Sequence, residues 1–299
     1  MPKSNSSNNT ANSNNQPRTA KEVIAANVQT LIQQLETGHS EALTAYLNAM
    51  SRFHNYSFGN ILEIARQRPD ATRVAGFWKW KEMGRSVKKG EKGIRILAPI
   101  IGVRRKKDEE AEKDITKQNK AVLVGFRSTY VFDVSQTEGA ELPELHEISG
   151  EVGENRERLI AFIESQGIEL VFTERIAPAL GMSYSGRIAI LPGQSKAEEF
   201  STLVHELAHE MLHKAERRTA TTKTVRETEA EAIAFIIGNA VGLETGTKSA
   251  DYIQLYHGNA SLLTESLEVI QQASAVILAA LRPSAEEAMT ATTEMAEVA

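Results

Sequence analysis

The sequence predicts an α+β protein of two domains, and three observations lead to this prediction. The chain has 299 residues, which is long enough for two domains. Several segments carry apolar residues at helical spacing, whereas residues 94–103 and 121–132 are rich in β-branched and aromatic residues and are typical of strands. The charge is divided: residues 18–135 hold 21 Lys/Arg and 13 Asp/Glu, a net +8, and residues 136–299 hold 12 and 26, a net −14. We therefore expect a basic domain followed by an acidic one.

Composition also predicts the boundaries of these units. The first residues are rich in Asn and Ser and cannot bury a core, so they are expected to be disordered. Residues 104–119 are charge-rich and predict an exposed loop. The predicted organisation is a disordered tail at 1–17, an α+β domain at 18–135, an acidic linker at 136–153, a mostly helical domain with a small sheet at 154–282, and a flexible tail at 283–299.

The residue content excludes several classes of protein. The chain contains no cysteine, so it has neither disulfides nor a thiolate metal site, and it suits a reducing compartment. No run approaches the roughly 18 apolar residues of a membrane helix, and the N-terminus lacks the apolar core of a signal peptide. These features predict a cytoplasmic protein that does not contact membranes. They leave its oligomeric state open.

The most informative motif is His205-Glu206-Leu-Ala-His209. On a helix the two histidines share one face, one turn apart, and two neutral imidazoles so placed can bind one divalent metal. Glu206 then lies beside the metal and can act as a general base on bound water, as in zinc hydrolases. The flanking residues have apolar side chains at helical spacing, which predicts a core-packed helix whose histidines need partners.

A second helix supplies candidate carboxylates. Glu227 and Glu231 are four residues apart and share one face, whereas Glu229 is expected to point elsewhere. Glu227 would be the third ligand of zinc or another divalent metal, and Glu231 would hold a ligating histidine through its other nitrogen. The alternative is a solvated acidic face. His213 is a rival ligand by spacing, but three ligands on one straight helix converge poorly, so we interpret it as a polar residue at the helix end.

The basic half mixes aromatic residues with cations, as in FWKWK at 77–81 and KKGEK at 88–92. Such a mixture suits single-stranded nucleic acid, because bases stack on rings while cations follow the phosphates. Charge asymmetry between the halves favours the same interpretation. The alternative is that the aromatic residues belong to the core under a solvated lysine face. Composition alone allows both.

Three longer runs resemble the N-terminal domain of ArdC-type antirestriction proteins: YSFGNIL at 56–62, VAGFWKW at 74–80 and GRSVKKGEKGI at 84–94. YVFDV at 130–134 fits the closing strand of that domain. The second half, with its HExxH motif, resembles the zincin-like domain of the same proteins, which is similar to ImmA/IrrE-type metallopeptidases. The resemblance covers roughly residues 19–282. One departure is Glu231, because ImmA/IrrE-type proteins usually have Asn at that position.

The resemblance implies a protein of mobile elements that binds single-stranded DNA and protects incoming conjugative DNA from host restriction. The residues that we expect to contact DNA are Tyr56, Asn60, Trp78, Lys79, Trp80, Lys81, Arg85, Lys88, Lys89 and Lys92. Two other functions remain open. One is an active zinc metallopeptidase that DNA binding directs to a host protein or peptide, with a strand near Ile188 holding the peptide by edge pairing. The other is an accessory role in plasmid replication or maintenance.

Overall fold

The structure is a computed structural model, and it describes residues 19–37, 41–103, 121–141, 152–243 and 260–283. Helices and small sheets alternate along these residues, which confirms the predicted α+β fold class. The predicted disordered tail, the charge-rich insertion, much of the linker and nearly all of the C-terminal tail lie outside the described residues, so these predictions stay open.

The first half begins with three helices that pack on one another: α1 (Ala20–Glu36), α2 (Glu41–Phe53) and α3 (Phe58–Gln67). A capping box starts α1, because the Glu22 N–H donates to the Thr19 hydroxyl while the Thr19 N–H donates to the Glu22 carboxylate. Apolar side chains at helical spacing line the inner faces of these helices and are buried. The three helices form a platform on which a sheet rests.

That sheet and the elements around it complete the first half. The elements are β1 (Val74–Gly76), α4 (Phe77–Glu82), β2 (Arg85–Val87), β3 (Ile94–Val103), β4 (Ala121–Asp133) and β5 (Thr137–Gly139). Strand β4 lies in the centre of an antiparallel sheet of order β1-β4-β3. Strands β2 and β5 form a separate antiparallel pair. Because β5 lies inside the segment predicted as a linker, that segment begins as part of the first half's structure.

The two tryptophans of α4 have opposite environments. Trp80 is 0% exposed and its indole N–H donates to the Phe132 carbonyl at 2.9 Å, whereas Trp78 is 73% exposed. Residues two apart on a helix point about 200° away from each other, so only one of the two can face the sheet. The expectation that Trp80 contacts DNA is corrected: Trp80 is a core residue, and its ring is not available to a base.

Asn60 also serves the fold rather than a ligand. Its side chain is buried, its amide donates to the Leu97 carbonyl at 2.8 Å, and its carbonyl accepts the Leu97 N–H at 2.9 Å. Leu97 lies in β3, an edge strand of the described sheet, so one side of its backbone has no neighbouring strand. The two hydrogen bonds from Asn60 satisfy these backbone groups and hold α3 against β3. The predicted DNA contact of Asn60 is therefore corrected. Tyr56 is partly buried, and its hydroxyl donates to the Val74 carbonyl at 3.3 Å.

The second half contains a three-stranded sheet and five helices within the described residues. The elements are α5 (Asn155–Ser165), β6 (Glu169–Phe172), β7 (Gly181–Ser183), β8 (Arg187–Ile190), α6 (Lys196–Leu212), α7 (Ala215–Ala220), α8 (Lys223–Ala240) and α9 (Ala260–Ala280). The strand order is β6-β8-β7, with β6 parallel and β7 antiparallel to β8. Ile188 lies in the central strand and is fully buried. Strand β8 itself cannot hold a peptide by edge pairing, because it has a neighbour on each side, whereas β7, which pairs with β8 at Ile188, lies at the edge of this sheet among the described residues.

The two halves share a continuous apolar core. Helix α2 packs on α8, and the core residues of both halves form one cluster. Polar contacts cross the same boundary: the Asn239 amide donates to the Asn48 side-chain oxygen at 2.9 Å, and the Gln271 amide donates to the Tyr56 carbonyl at 3.3 Å. The position of one half is thus set by the packing of the other.

Helix α9 has the length and composition of a membrane-crossing helix over Ser261–Ala280, and 44% of that window is buried inside the protein. We did not expect such a segment from the sequence. Its buried apolar side chains, among them Leu263, Leu267 and Ile270, belong to the shared core. Core packing therefore accounts for the apolar character of this helix.

The opposite environments of the two tryptophans predict opposite effects of truncation. Replacing Trp80 with Ala should lower the free energy of unfolding by about 3–5 kcal/mol, because it leaves a cavity and an unpaired carbonyl. The matched Trp78→Ala change should alter it by no more than about 0.5 kcal/mol. Urea unfolding of both variants measures this difference, and equal effects would contradict the assignment of Trp80 to the core.

Candidate functional site

Helix α6 presents its histidines because its apolar residues fix its orientation. A capping box at Ser195, whose hydroxyl accepts the Glu198 N–H, starts the helix. Phe200, Leu203 and their apolar neighbours on the same stripe are fully buried. His205 and His209 lie beside this stripe and stay partly exposed. The motif therefore lines the edge of the core, where side chains can reach a ligand.

Helix α8 packs on α6 and brings its carboxylates to the histidines. The Glu227 Oε2 atom lies 3.5 Å from the Nε2 atom of His205 and 3.5 Å from that of His209. The two Nε2 atoms are 3.1 Å apart. One ligand atom from each of the three residues lies within 4.8 Å of the others. The three predicted ligands thus come together because α8 packs across α6.

The donor set fits a divalent cation. Two imidazole nitrogens and one carboxylate leave a fourth tetrahedral position for water, as catalytic zinc sites do. Burial is the largest cause that lowers the pKa of His209, to about 4, so its ring is neutral at neutral pH. Neutral imidazole is the form that binds metals. Two neutral Nε2 atoms this close repel each other through their lone pairs unless a proton or a cation lies between them.

Glu231 lies on the other side of His205, as its spacing predicts. Its Oε2 atom is 3.6 Å from the Nδ1 atom of His205, the nitrogen that faces away from Glu227. Burial lowers the pKa of His205, but the close carboxylate of Glu231 and the negative charges of Glu206 and Glu227 outweigh it, and the net pKa is raised. The same carboxylates favour a cation at this position.

Glu206 is held against the edge strand β7. Its carboxyl group is mostly buried, and burial raises its pKa although Ser183 donates hydrogen bonds to it. A Cβ atom added to Gly181 would lie 2.8 Å from the Glu206 Oε1 atom and 2.6 Å from the Thr202 methyl group. Only glycine permits this close approach of the strand. A carboxyl group with a raised pKa beside a metal can accept a proton from metal-bound water.

A buried polar network behind the histidines was not anticipated from the sequence. His213 is the C-cap residue of α6, and its Nδ1 atom lies 2.7 Å from the Nδ1 atom of His209. Its Nε2 atom lies 2.9 Å from the Oε2 atom of Glu229, whose side chain is completely buried. As expected, Glu229 points away from the Glu227 cluster, but it points inward. The one available signal was the continued four-residue spacing of the histidines.

The predicted DNA-contacting residues of the first half divide by exposure. Exposed side chains are those of Trp78, Lys79, Lys81, Lys88, Lys89 and Lys92. The Lys81 ammonium lies 5.5 Å from the centroid of the Trp78 ring, a cation–π contact that can orient this indole. Arg85 instead binds the β5 segment, because its Nε–H donates to the Thr137 hydroxyl at 2.8 Å. Six of the ten predicted residues are therefore exposed, and these are the ones available to a ligand.

Strand β4 carries exposed aromatic residues that sequence reasoning did not assign to DNA. Phe126 and Tyr130 are 53% and 56% exposed, and they lie on one face because they are four residues apart in a strand. Tyr130 pairs across the sheet with exposed Arg95. Strand β1 residue Gly76 pairs with Val131, so α4, which follows β1, begins close to Tyr130 along the sheet. The position of Arg95 beside Tyr130 depends on the strand register, which the sequence does not contain.

Comparison with known proteins identifies the class of the first half. Residues 16–132 match the family model described as the N-terminal domain of anti-restriction factor ArdC. This part of the chain is therefore similar to the N-terminal domain of ArdC, and the predicted resemblance to ArdC-type proteins is confirmed.

The fold is similar to that of one protein of known structure. The crystal structure of antirestriction ArdC protein from the R388 plasmid, in its metal-free form, has a TM-score of 0.51 and 18% sequence identity, with 86% of this chain and 97% of that chain covered. The Mn(II)-bound structure of the same protein has a TM-score of 0.49 and 17% identity, with 89% and 98% covered. At this identity the likeness of the metal-free form establishes the fold alone.

An uncharacterized protein of Bacillus anthracis is 26% identical over 262 residues, which is 75% of this chain and 44% of the relative. The chain thus spans less than half of the length of that relative.

Proposed function

We propose that this protein is an antirestriction factor that binds single-stranded DNA in the cytoplasm and protects incoming conjugative DNA from host restriction. The observation that carries the proposal is the match of residues 16–132 to the N-terminal domain of anti-restriction factor ArdC. The excess of cations in the same half supports DNA as its ligand, because Lys and Arg that neutralise phosphates release counterions.

The exposed aromatic residues of the first half support single strands rather than duplex. Phe126 and Tyr130 present rings to solvent on one face of β4, and Trp78 does so on α4, which follows the neighbouring strand β1. Arg95 pairs with Tyr130 across the sheet, and Lys81 lies over the Trp78 ring. Unpaired bases can stack on such rings, whereas the bases of a duplex are already stacked on each other. We assign DNA binding to this face, and not to Trp80 or Asn60.

We further propose that His205, His209 and Glu227 bind zinc or another divalent metal, with Glu231 supporting His205. The convergence of three ligand atoms from two helices supports the site. Bound there, the metal would polarise a water or carbonyl oxygen and lower the pKa of bound water. The chain's own contributions are the orientation of the ligands and the Glu206 carboxyl group, which can hold a proton.

A second candidate function is an active metallopeptidase, and the edge strand β7 favours it. Among the described strands, β7 pairs only with β8, and it contacts α6 where Glu206 lies. An extended peptide can add to such an edge through backbone hydrogen bonds. Its scissile bond would then lie near the proposed metal and its general base. Under this proposal the substrate is a host protein or peptide.

The DNA proposal predicts salt-sensitive binding that depends on the exposed rings. The full chain should bind single-stranded oligonucleotides more tightly than duplex, and its affinity should fall steeply as salt rises. Trp78→Ala and Tyr130→Ala should each cost about 1–3 kcal/mol of binding free energy. Tyr184→Ala, an exposed tyrosine of the acidic half, is the control and should bind normally. Preference for duplex, or affinity indifferent to salt, would refute the proposal in fluorescence anisotropy titrations.

The metal proposal predicts which substitutions abolish metal binding. His205→Ala, His209→Ala and Glu227→Ala should each lose bound divalent metal, whereas Glu206→Gln should keep one equivalent, because Glu206 is not a ligand. Elemental analysis after dialysis measures the stoichiometry. Metal bound only to the native state should also raise the melting temperature of the wild type. Retention of a full equivalent by both His205→Ala and Glu227→Ala would place the site elsewhere.

A plasmid-transfer assay into a restricting host separates the two functions. Glu206→Ala should leave protection and DNA binding unchanged, because shielding DNA requires occupancy and not bond cleavage. The double variant that carries Trp78→Ala and Tyr130→Ala should no longer protect the transferred DNA. Loss of protection in Glu206→Ala protein that still binds DNA and metal would instead favour the peptidase, and a shortened host protein should then be found in recipient cells.

A further inference from the structure

The two ring nitrogens of His209 have different surroundings. Its Nε2 atom faces the Nε2 atom of His205 and the carboxylate of Glu227, so it belongs to the candidate metal cluster. Its Nδ1 atom faces the Nδ1 atom of His213 at 2.7 Å. At that distance one of the two Nδ1 atoms must carry a proton and the other must accept it. Which nitrogen carries the proton decides whether His209 can bind a metal.

Glu229, the buried residue that contacts His213, determines which nitrogen of His213 carries the proton. Glu229 accepts hydrogen bonds at Oε1 from the Arg217 guanidinium at 2.5 Å and from the Ser266 hydroxyl at 2.6 Å. A guanidinium only donates, and a carboxylate paired with it only accepts. The remaining oxygen of Glu229 lies 2.9 Å from the Nε2 atom of His213. His213 must therefore carry its proton on Nε2 to make this contact.

The proton position on His213 then determines the proton position on His209. A His213 ring that holds its one proton on Nε2, opposite Glu229, has a lone pair on Nδ1, so it accepts a hydrogen bond there. His209 must donate that bond from Nδ1, which leaves the lone pair of neutral His209 on Nε2. That atom is the one that faces His205 and Glu227. The opposite tautomer would place a proton where a metal must bind.

We propose that His213 is a positioning residue, and that with Glu229 it fixes His209 in the metal-binding tautomer. This inference rests on the proposed metal site. It differs from the support of His205, whose Nδ1 atom faces the half-exposed carboxylate of Glu231 directly. His209 is supported through a second imidazole, and the terminal carboxylate is 0% exposed. Buried partners that orient a ligand typically change metal affinity by about 10–100-fold when they are removed.

His213 is not a ligand in this arrangement. It stands at the C-cap, where the backbone leaves the helix, and both of its ring nitrogens are engaged on the side of His209 that faces away from Glu227. Its side chain is 1% exposed. The four-residue spacing of three histidines on one helix thus supplies two ligands and one support.

The decisive experiment combines tautomer and affinity measurements on the full chain. Nitrogen-15 NMR of the histidine rings, recorded without metal, should show His209 protonated on Nδ1 and His213 protonated on Nε2. Competition with a chelator should show that His213→Phe, which keeps the ring volume but has no nitrogen, binds Zn²⁺ about 10–100-fold more weakly at unchanged stoichiometry. His213→Asn, whose carbonyl oxygen can replace Nδ1 as acceptor, should recover most of that affinity.

The controls separate positioning from a loss of stability. Ile270→Ala removes buried apolar volume from α9 and should lower stability without changing Zn²⁺ affinity. Unchanged affinity in folded His213→Phe protein, or His209 protonated on Nε2 in the wild type, would overturn the proposal. If His213→Phe does not fold, the wild-type tautomers and the Asn variant still decide. If the wild type shows the expected tautomers but binds no Zn²⁺, the proposed metal site is refuted, whereas the hydrogen bonds from His209 to His213 and from His213 to Glu229 are not.

Discussion

One buried carboxylate connects the helices that form the candidate metal site. Glu229 on α8 accepts hydrogen bonds from His213 at the end of α6, Arg217 in α7 and Ser266 in α9. Arg217 also pairs with Glu265 of α9. A buried carboxylate without partners would cost several kcal/mol, so the helices must approach closely enough to supply these donors. The need to supply these donors to Glu229 therefore helps to align α6 with α8, and the candidate metal cluster depends on that alignment.

Local spacing predicted which side chains would face the candidate metal cluster, because on each of the two helices they are one turn apart. His205 and His209 share a face of α6, and Glu227 and Glu231 share a face of α8, so only the crossing of two helices was left to tertiary packing. The Glu229 network was not predictable in this way. Helix α8 packs against α6, α9 and α2, and most of its surface is buried, so its sequence has no single polar face. Which acid turns inward depends on donors from distant segments.

In the first half, composition does not predict which aromatic residues are buried and which are exposed. Trp78 and Trp80 both adjoin Lys79 in the sequence, yet Trp80 is a core residue and Trp78 is exposed, because the sheet covers only one side of α4. The exposed row on β4 escaped prediction for a related reason. Strand alternation places Phe126 and Tyr130 on one face, but only the strand register places Arg95 beside Tyr130. The predicted linker likewise contains strand β5, whose pairing partner lies some fifty residues earlier in the chain.

The shared core between the two halves has a consequence for how such proteins diversify by recombination. Helix α2 and helix α8 present apolar faces to each other, and Asn48 and Asn239 complete the contact with a hydrogen bond. A crossover that replaced only one half would have to bring in a matching face, or else expose buried apolar surface on both sides of the junction. The two halves are therefore expected to be inherited as one unit, and substitutions in α2 to be accompanied by compensating substitutions in α8.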